Sequence, residues 1–254
     1  MSFGYIINKT HCICGGELKS NINFGKLPLI NLFKKNRTPK YPTIITECSS
    51  CKLIQLKKSV KDELIYPKNY LYKTGDSADA IEDFKELIQK LKKKFKNKFL
   101  NIVDIGGNDG TLMLIAKKSG FKVLNIEPTN AADISKKNGV NTIKKKFSYN
   151  TASQINKIKK KYDFLVSTNF FGHINNLEEI ILSSKKVLKE NGIMILELQY
   201  INKIIQNNGF DSFHQDHKYY YSINSLKKIL NKFDLYIYDV EFCKRHNEIF
   251  RVYV

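Results

Sequence analysis

Four cysteines and a histidine near the N-terminus have the spacing of a metal site. Cys14 and the pair Cys48-Ser-Ser-Cys51 are its firm part, because a Cys-x-x-Cys turn presents two thiolates to one tetrahedral ion. The fourth ligand stays open, since the position of His11, three residues before Cys14, suits the geometry and the thiolate of Cys12 suits ligand softness. Four protein ligands close the site, so we predict a structural Zn²⁺ ion.

A glycine-rich turn in the middle of the chain has the residues to hold a nucleotide-like cofactor. Val103-Asp-Ile-Gly-Gly-Asn-Asp-Gly110 ends a predicted strand and opens a predicted helix. Glycines let the backbone turn tightly, and open α/β sheets bind ligands at the carboxyl ends of their strands. The predicted cofactor contacts of this turn are Asp104, Gly106, Gly107, Asn108, Asp109, Gly110 and Thr111.

Further polar residues follow the next strands at the same sheet edge. Glu127-Pro128 ends the second strand, where a carboxylate can accept both ribose hydroxyls of an adenosyl ligand. Asp104 would face a pyrophosphate in a nicotinamide enzyme; it suits the ammonium group of S-adenosylmethionine better, unless it only caps the turn. Asn169, at the end of a later strand, is predicted beside the cofactor. His173 either faces the reacting methyl group or caps the next helix.

The elements around these residues alternate between strand and helix periodicity. We predict strands at 99–105, 122–126, 141–143, 162–168 and 192–198, and helices at 111–118, 131–138, 151–160, 177–189 and 222–231. An amphipathic helix from about residue 77 precedes them, and strands at 235–242 and 249–254 close the chain as an antiparallel hairpin. The expected fold is α/β: a doubly wound, mostly parallel, seven-stranded Rossmann-like sheet at 66–254, after a small zinc-binding module at 1–65 with β-prone pieces at 43–47 and 53–56.

Composition limits the classes of function. The 254 residues are 42% hydrophobic, which is enough for a core and excludes disorder as the main state. No apolar run is long enough for a transmembrane helix. The first ten residues lack the basic start and apolar run of a secretory signal, so we expect a cytoplasmic protein.

The chain is strongly basic, with 43 Lys and Arg against 24 Asp and Glu, a net charge of +19. A nucleic-acid-binding protein would have this excess, and so would the product of AT-rich coding DNA. The lysines are spread along the whole chain, with runs at 92–94, 144–146 and 159–161 near the ends of predicted helices. We therefore do not expect nucleic acid as the partner, whereas anionic substrates or a membrane surface would also be attracted by this charge.

Taken together, these residues are similar to a family of zinc-containing sugar C-methyltransferases that act on nucleotide-linked keto-sugars. The resemblance runs nearly end to end, through Cys14-Gly-Gly, Phe24–Asn31, Cys48-x-x-Cys51, Tyr70-Leu-Tyr72, Asp104–Thr111, Ile126-Glu-Pro128, Phe171–Ile174, Phe210-Asp211, His217 and Arg251–Val254. It implies a class I methyltransferase with S-adenosylmethionine and structural Zn²⁺. The family has Cys where His11 stands, which favours His11 as the fourth ligand.

The resemblance also implies the catalytic residues. The matching family stretch usually ends Tyr, His, Glu, His, and here it reads His214-Gln-Asp-His217. His217 is then the general base, Asp216 takes the acidic place and His214 replaces a tyrosine, while Tyr70 or Tyr72 matches another active-site tyrosine. From the residues alone, histidines in a polar loop either serve as a base near neutral pH or are simply exposed.

Two departures from the family modify the expected activity. Family members continue into a further domain that helps to hold the nucleotide-sugar, and a Gly-Gly pair of the family is Asn247-Glu248 here. We therefore expect methylation of a carbohydrate or sugar-linked group, in surface polysaccharide biosynthesis, with a partner protein that supplies the missing substrate domain. The acceptor would be a small or sugar-linked molecule, and an anionic one would suit the charge. The alternatives are C-methylation of a nucleotide-linked keto-sugar, a basic zinc-containing nucleic-acid-binding protein, and a non-catalytic partner that only binds the cofactor.

Overall fold

The computed structural model describes residues 5–30, 38–95, 100–157, 161–243 and 249–254. Its strands are β1 (Ile6–Asn8), β2 (Leu18–Pro28), β3 (Lys40–Cys48), β4 (Ile54–Leu56), β5 (Lys58–Val60), β6 (Asn101–Ile105), β7 (Lys122–Ile126), β8 (Thr142–Ile143), β9 (Tyr162–Thr168), β10 (Leu188–Gln199), β11 (Tyr219–Tyr220), β12 (Asp239–Phe242) and β13 (Ile249–Tyr253). Its α-helices are α1 (Asp62–Ile65), α2 (Ala78–Lys94), α3 (Thr111–Lys118), α4 (Ala131–Lys137), α5 (Tyr149–Lys157), α6 (Leu177–Val187), α7 (Ile201–Gln206) and α8 (Ile223–Asn231). Short 3₁₀ turns span Thr74–Asp76 and Phe210–Ser212.

The central sheet confirms the predicted doubly wound fold. In the described part of the chain its order is β12-β13-β10-β9-β6-β7-β8, with β8, β7, β6, β9 and β10 parallel and β13 antiparallel to both of its neighbours. Side chains of β6 alternate between two cores: Ile102 packs with residues of α2 and α3, whereas Val103 and Ile105 pack with residues of α5, α6 and α8. Both faces of the sheet are therefore covered, and its carboxyl edge is left for the ligand site.

Several predicted elements coincide with observed ones, and others differ at their ends. Helix α3 and strands β7 and β9 have the predicted bounds. The last predicted strand pair is an antiparallel hairpin, but β12 begins at Asp239 instead of residue 235. Some predicted features lie outside the described residues. They are the end of the helix 151–160, part of the lysine run 159–161, the first residue of the strand 99–105, Asn31 and Asn247-Glu248.

The N-terminal region forms a four-stranded antiparallel sheet whose fourth strand comes from late in the chain. Its order is β11-β4-β3-β2, and β11 follows β10 in sequence. The amide of Gln215 donates to the carbonyls of Pro42 and Lys58, and its oxygen accepts from the backbone of Val60. The loop that carries His214 and His217 is therefore anchored on β3 of this sheet and on β5, which pairs with β1, and the proposed boundary at residue 65 stays a prediction.

A buried arginine joins the last strand to the rest of the domain. Arg251 of β13 donates to Glu197 of β10 at 2.6 and 3.0 Å, to Asp83 of α2 at 2.7 Å and to Glu241 of β12 at 2.7 Å. Arg251 is 4% exposed and Glu197 is fully buried. Since buried charges are tolerated when they are paired and hydrogen-bonded, this network fixes the order of the last strands.

None of the helices described here combines the length and the apolar character that crossing a bilayer requires.

Candidate functional site

A cavity of about 1110 Å³ opens at the carboxyl ends of β6, β7, β9 and β10. One end is lined by the glycine turn and by Glu127. The other end is lined by His173 and by the loop with His214 and His217, and the segment 66–74 borders both ends. The parallel sheet thus brings the predicted cofactor turn and the predicted catalytic loop to one cavity.

Asp104 is a buried carboxylate without a partner for one of its oxygens. It is 1% exposed, and within the described residues its Oδ1 has no hydrogen bond. Burial raises the pKa of Asp104 well above its usual value, and the nearby carboxylates of Glu197, Glu127 and Asp109 add to the effect. An ammonium group placed here would compensate both the burial and the repulsion. These features make Asp104 a candidate for such a contact, and the alternative that it only caps the turn stays open.

The glycine turn has no room for side chains. A Cβ on Gly107 would lie 2.5 Å from Asp104 Oδ2, and a Cβ on Gly106, whose φ is +71°, would lie 2.6 Å from the ring of Phe170. Glu127 fixes the turn from the next strand, since its carboxylate accepts from the backbone N–H groups of Asn108 at 3.1 Å and Thr129 at 2.9 Å. The backbone of Gly106 and Gly107 and the carboxylate of Glu127 thus all line the cavity.

Three residues of the predicted cofactor set do not line the cavity. Gly110 is the N-cap of α3, in the left-handed region at φ +76°. Asp109 accepts from the hydroxyl of Thr111 at 2.6 Å and from the backbone of Gly75 at 2.8 Å. These contacts hold the turn and the segment 74–76 together, and Asp109, Gly110 and Thr111 lie behind the residues that line the cavity.

The segment 66–76 is held against the glycine turn as a strap. The side chain of Asn108 accepts from the backbone of Thr74 at 3.0 Å and donates to the carbonyl of Tyr72 at 3.1 Å. The strap places Tyr70 and Tyr72, the two predicted active-site tyrosines, in the cavity wall. A third tyrosine of the strap, Tyr66, also lines the cavity.

Asn169 and His173 follow strand β9 on the cavity side. Asn169 has a φ of +54° and lines the cavity. His173 does not cap the next helix, because the cap of α6 is the side chain of Asn176, which accepts from the backbone of Glu179. The His173 Nδ1 atom lies 2.7 Å from the hydroxyl of Tyr66. Burial holds the pKa of His173 well below its usual value, so the ring is neutral at pH 7.

The hydrogen bonds of His217 define its tautomer. Its Nδ1 donates to the carbonyl of Ser212 at 2.9 Å, which leaves Nε2 as the acceptor. The Gln199 amide nitrogen donates to Nε2 at 2.9 Å, and among the described residues the Gln199 oxygen has no partner. Burial lowers the pKa of His217 to about 4. His217 is therefore a neutral imidazole with its lone pair in the cavity wall.

His214 and Asp216 form a close, largely buried pair in the cavity wall. The His214 ring lies 3.9 Å from the ring of His217, centroid to centroid. His214 Nδ1 and Asp216 Oδ1 are 3.8 Å apart, and neither atom has a hydrogen bond to any residue the structure describes. Burial lowers the pKa of His214 to about 3 and raises the pKa of Asp216 to about 7. Both groups line the cavity and are available to a polar ligand.

The sequence analysis missed several cavity residues. Tyr66, Gln199, Asp62 and Lys146 all line the cavity. Asp62 pairs with Lys146 at 3.0 Å and with the fully buried Lys218. Gln199 ends β10 as Asn169 follows β9, so the rule that ligands bind at carboxyl strand ends could have found it. Asp62 opens the one-turn helix α1, Tyr66 follows it, and Lys146 lies between β8 and α5; none of them stands in a recognisable sequence motif.

The four N-terminal cysteines lie together as predicted, but His11 does not lie with them. The Sγ atoms of Cys12, Cys14, Cys48 and Cys51 all lie within 4.8 Å of one another. The Nδ1 atom of the exposed His11 side chain lies 3.2 Å from the hydroxyl of Thr10, outside this cluster. The structure thus groups Cys12, and not His11, with the other three thiols. Gly15, whose φ is +88°, donates its N–H to the Cys12 carbonyl at 2.8 Å and closes the turn between Cys12 and Gly16.

Comparison with known proteins gives a family match and distant relatives. A family model described as a methyltransferase domain matches residues 77–240. The C-methyltransferase NovU of Streptomyces niveus is 22% identical over 242 residues, covering 92% of this chain and 57% of the relative. The ubiquinone biosynthesis O-methyltransferase of Pelagibacter ubique (strain HTCC1062) is 31% identical over 130 residues, covering 51% and 52%. The chain spans about half the length of these curated relatives.

Solved structures give the same fold. An S-adenosylmethionine-dependent methyltransferase from Clostridium acetobutylicum ATCC 824 superposes with a TM-score of 0.52 at 14% identity, covering 68% of this chain and 90% of that one. At this identity the likeness concerns the fold alone.

Proposed function

Because the chain belongs to the methyltransferase domain family, it is an S-adenosylmethionine-dependent methyltransferase, and we propose that it methylates a carbohydrate or sugar-linked group. The observation that carries the proposal is the position of His214 and Asp216 beside His217, in the same cavity as the cofactor turn; among the described residues His214 Nδ1 and Asp216 Oδ1 have no hydrogen bond. Buried polar atoms without partners favour a ligand rich in hydroxyl groups, as sugars are.

The residues present fit the cofactor. Asp104 would accept from its ammonium group, Glu127 from its ribose hydroxyls, and the backbone at Gly106 and Gly107 lies against it without side chains. Pro128 and Asn169 line the same end of the cavity. When bound, S-adenosylmethionine supplies an electrophilic methyl group. The protein's contribution is to hold donor and acceptor in line, and such alignment provides much of the rate.

His217 is proposed as the general base. Its Nε2 lone pair accepts from the Gln199 amide, and both side chains line the cavity. When Nε2 takes the acceptor proton, a turn of the Gln199 amide would place its unpartnered oxygen on the new N–H. Asp216 and His214 would position the acceptor's hydroxyl groups. A general base of this kind typically contributes ~10²–10⁴-fold to the rate.

Carbon methylation of a nucleotide-linked keto-sugar is a second candidate, favoured by the alignment with the C-methyltransferase NovU over 92% of this chain. The same base would then remove a proton beside a keto group. Exchange of that carbon-bound proton in D₂O in the absence of cofactor would support this candidate, and its absence with a turned-over substrate would exclude it. The methylated atom and the acceptor are proposals, because the chain spans only about half the length of these two relatives.

The four thiols are proposed to bind a structural Zn²⁺ ion. Tetrahedral Zn–S bonds of about 2.3 Å place sulfur atoms roughly 3.8 Å apart. Cys12–Cys51 at 3.6 Å and Cys14–Cys48 at 3.3 Å are near this spacing. A Cβ on Gly16 would lie 2.7 Å from Cys48 Sγ, so this glycine leaves room for the cluster. Four thiolates leave no open position, hence the ion would stabilise the fold and take no part in methyl transfer.

An isotope experiment tests the proposed acceptor. Source cells with and without the gene are fed methyl-¹³C methionine, and carbon NMR spectra of their surface glycans are compared. Loss of a methoxyl signal supports oxygen methylation and identifies the acceptor by its position, whereas loss of a carbon-bound methyl favours the second candidate. Unchanged spectra would contradict a role in surface polysaccharide synthesis.

A further inference from the structure

Lysines are concentrated at one edge of the central sheet. The last turns of α2 to α6 carry Lys92–Lys94, Lys117-Lys118, Lys136-Lys137, Lys157 and Lys185-Lys186. In a parallel sheet each crossover helix runs back against its strands, so these turns lie where the strands begin. Lys122 and Lys161, at the starts of β7 and β9, lie at the same place. We call this set of lysines the basic edge.

Contacts confirm that these segments are neighbours. Lys117 Nζ donates to the carbonyl of Gly139, just after α4, at 2.6 Å. Lys161 Nζ donates to the carbonyl of Lys186 at 2.9 Å, and Lys94 Nζ lies 5.0 Å from the ring centre of Tyr238. These contacts join α3 to the end of α4, the start of β9 to α6, and α2 to Tyr238, and the basic edge lies at the end of the sheet opposite the cavity.

The charge of the basic edge is largely uncompensated. Asp163 pairs with Lys189 at 2.7 Å and Asp234 with Lys185 at 3.8 Å. By contrast, four exposed lysines of the edge have no carboxylate of the described residues within 4.0 Å: Lys93, Lys118, Lys122 and Lys137. A helix C-terminus favours lysine by itself, but this does not account for lysines that precede strands.

We propose that the basic edge docks the enzyme on an anionic lipid surface. Lysine acts as a hydrated point charge, which suits a fluid anionic surface better than the bidentate phosphate recognition typical of arginine. Tyr236 and Tyr238, which are 64% and 50% exposed, flank the edge, and tyrosine is common at membrane–water interfaces.

The position of the edge separates binding from catalysis. A polyanion bound there lies at the end of the domain opposite the cavity, so it cannot be the methyl acceptor. Docking also leaves the mouth of the cavity free for an acceptor from solution. The high net charge therefore does not indicate nucleic-acid methylation, and the docking proposal does not depend on the identity of the acceptor.

Vesicle sedimentation tests the proposal. The full chain is mixed with vesicles of phosphatidylcholine alone or of phosphatidylcholine with phosphatidylglycerol, at low and high salt. The edge variant carries Lys93→Gln, Lys118→Gln, Lys122→Gln and Lys137→Gln. The matched control removes the same charge from exposed lysines of the N-terminal sheet and its turn: Lys19→Gln, Lys26→Gln, Lys40→Gln and Lys52→Gln. S-adenosylhomocysteine binding checks that both variants are folded.

We expect binding only to the anionic vesicles, lost at high salt. The edge variant should partition at least about tenfold more weakly, while the control changes by less than about threefold. Equal losses in both variants, or no binding to anionic vesicles, would overturn the proposal. Tighter binding of a mixed-sequence DNA duplex through the same four lysines would also overturn it, in favour of nucleic acid.

Discussion

Adding one methyl group at Gly107 should weaken cofactor binding. In Gly107→Ala the new Cβ lies 2.5 Å from Asp104 Oδ2 and closer still to Asn125 Oδ1. Neither neighbour can yield: Asp104 is 1% exposed, and the fully buried Asn125 donates to the carbonyl of Asn108 and to the hydroxyl of Ser135. The glycine turn must therefore move away from its place beside the cofactor.

The size of the effect follows from the cost of overpacking. An extra methyl group in a filled interior costs about 1–3 kcal/mol. If the cofactor-bound form of the turn bears this cost, the affinity for S-adenosylhomocysteine falls roughly 5- to 150-fold. A matched control is Gly120→Ala, whose backbone is also unfavourable for alanine at φ +95° but whose Cβ meets no atom within 4 Å.

Isothermal titration calorimetry with S-adenosylhomocysteine measures the effect, with thermal unfolding in parallel. Gly120→Ala should lose about 1 kcal/mol of stability and keep its affinity. For Gly107→Ala, the loss of binding free energy for S-adenosylhomocysteine should exceed any loss in the free energy of unfolding. Affinity of Gly107→Ala within about threefold of the wild type would refute the placement of the cofactor against this turn.

Four further predictions concern single groups. Because a base must be unprotonated, and burial lowers the pKa of His217 to about 4, the acid limb of the kcat/KM profile should lie near pH 4; a limb near pH 7 would instead assign the base to Asp216, whose pKa burial raises to about 7. Asp104→Asn should weaken S-adenosylmethionine binding by about 10- to 100-fold in calorimetry, since a charged hydrogen bond contributes about 1.5–3 kcal/mol, and unchanged affinity would contradict its role. Cys48→Ser should lower the melting temperature and the zinc content measured by atomic absorption, and a zinc-free wild type would contradict the metal site. Arg251→Met leaves the fully buried Glu197 without this partner, so urea unfolding should give a loss of about 3–5 kcal/mol, and a loss below about 1 kcal/mol would contradict the network.

The sequence predicted those parts of the site that depend on local pattern. The strand, glycine turn and helix from residue 101 to 118 could be read because periodicity changes sharply at Gly106 and Gly107. Glu127 and Asn169 followed from the rule that parallel strands end at one edge. These residues meet in the cavity because the sheet, and not the loops, positions them.

The rest of the site depends on contacts between segments distant in sequence. Tyr66 meets His173 across 107 positions, and Lys146 meets Asp62 across 84. Asp109, whose predicted cofactor role stays a prediction, accepts from the backbone of Gly75, a contact that no spacing rule contains. Strand β2 was missed because its exposed, polar residues lack the apolar alternation of a half-buried strand.

The most direct test of the account is complementation of gene-deleted cells fed methyl-¹³C methionine. Wild-type protein, His217→Ala and the control Gly120→Ala are expressed at equal levels, and the ¹³C spectra of the glycans are recorded. The account predicts that the missing methyl signal returns with the wild type and with Gly120→Ala. It should not return with His217→Ala, although this variant still binds S-adenosylhomocysteine. Full return of the signal with His217→Ala would contradict the central claim that this cavity and its histidine carry out the methyl transfer.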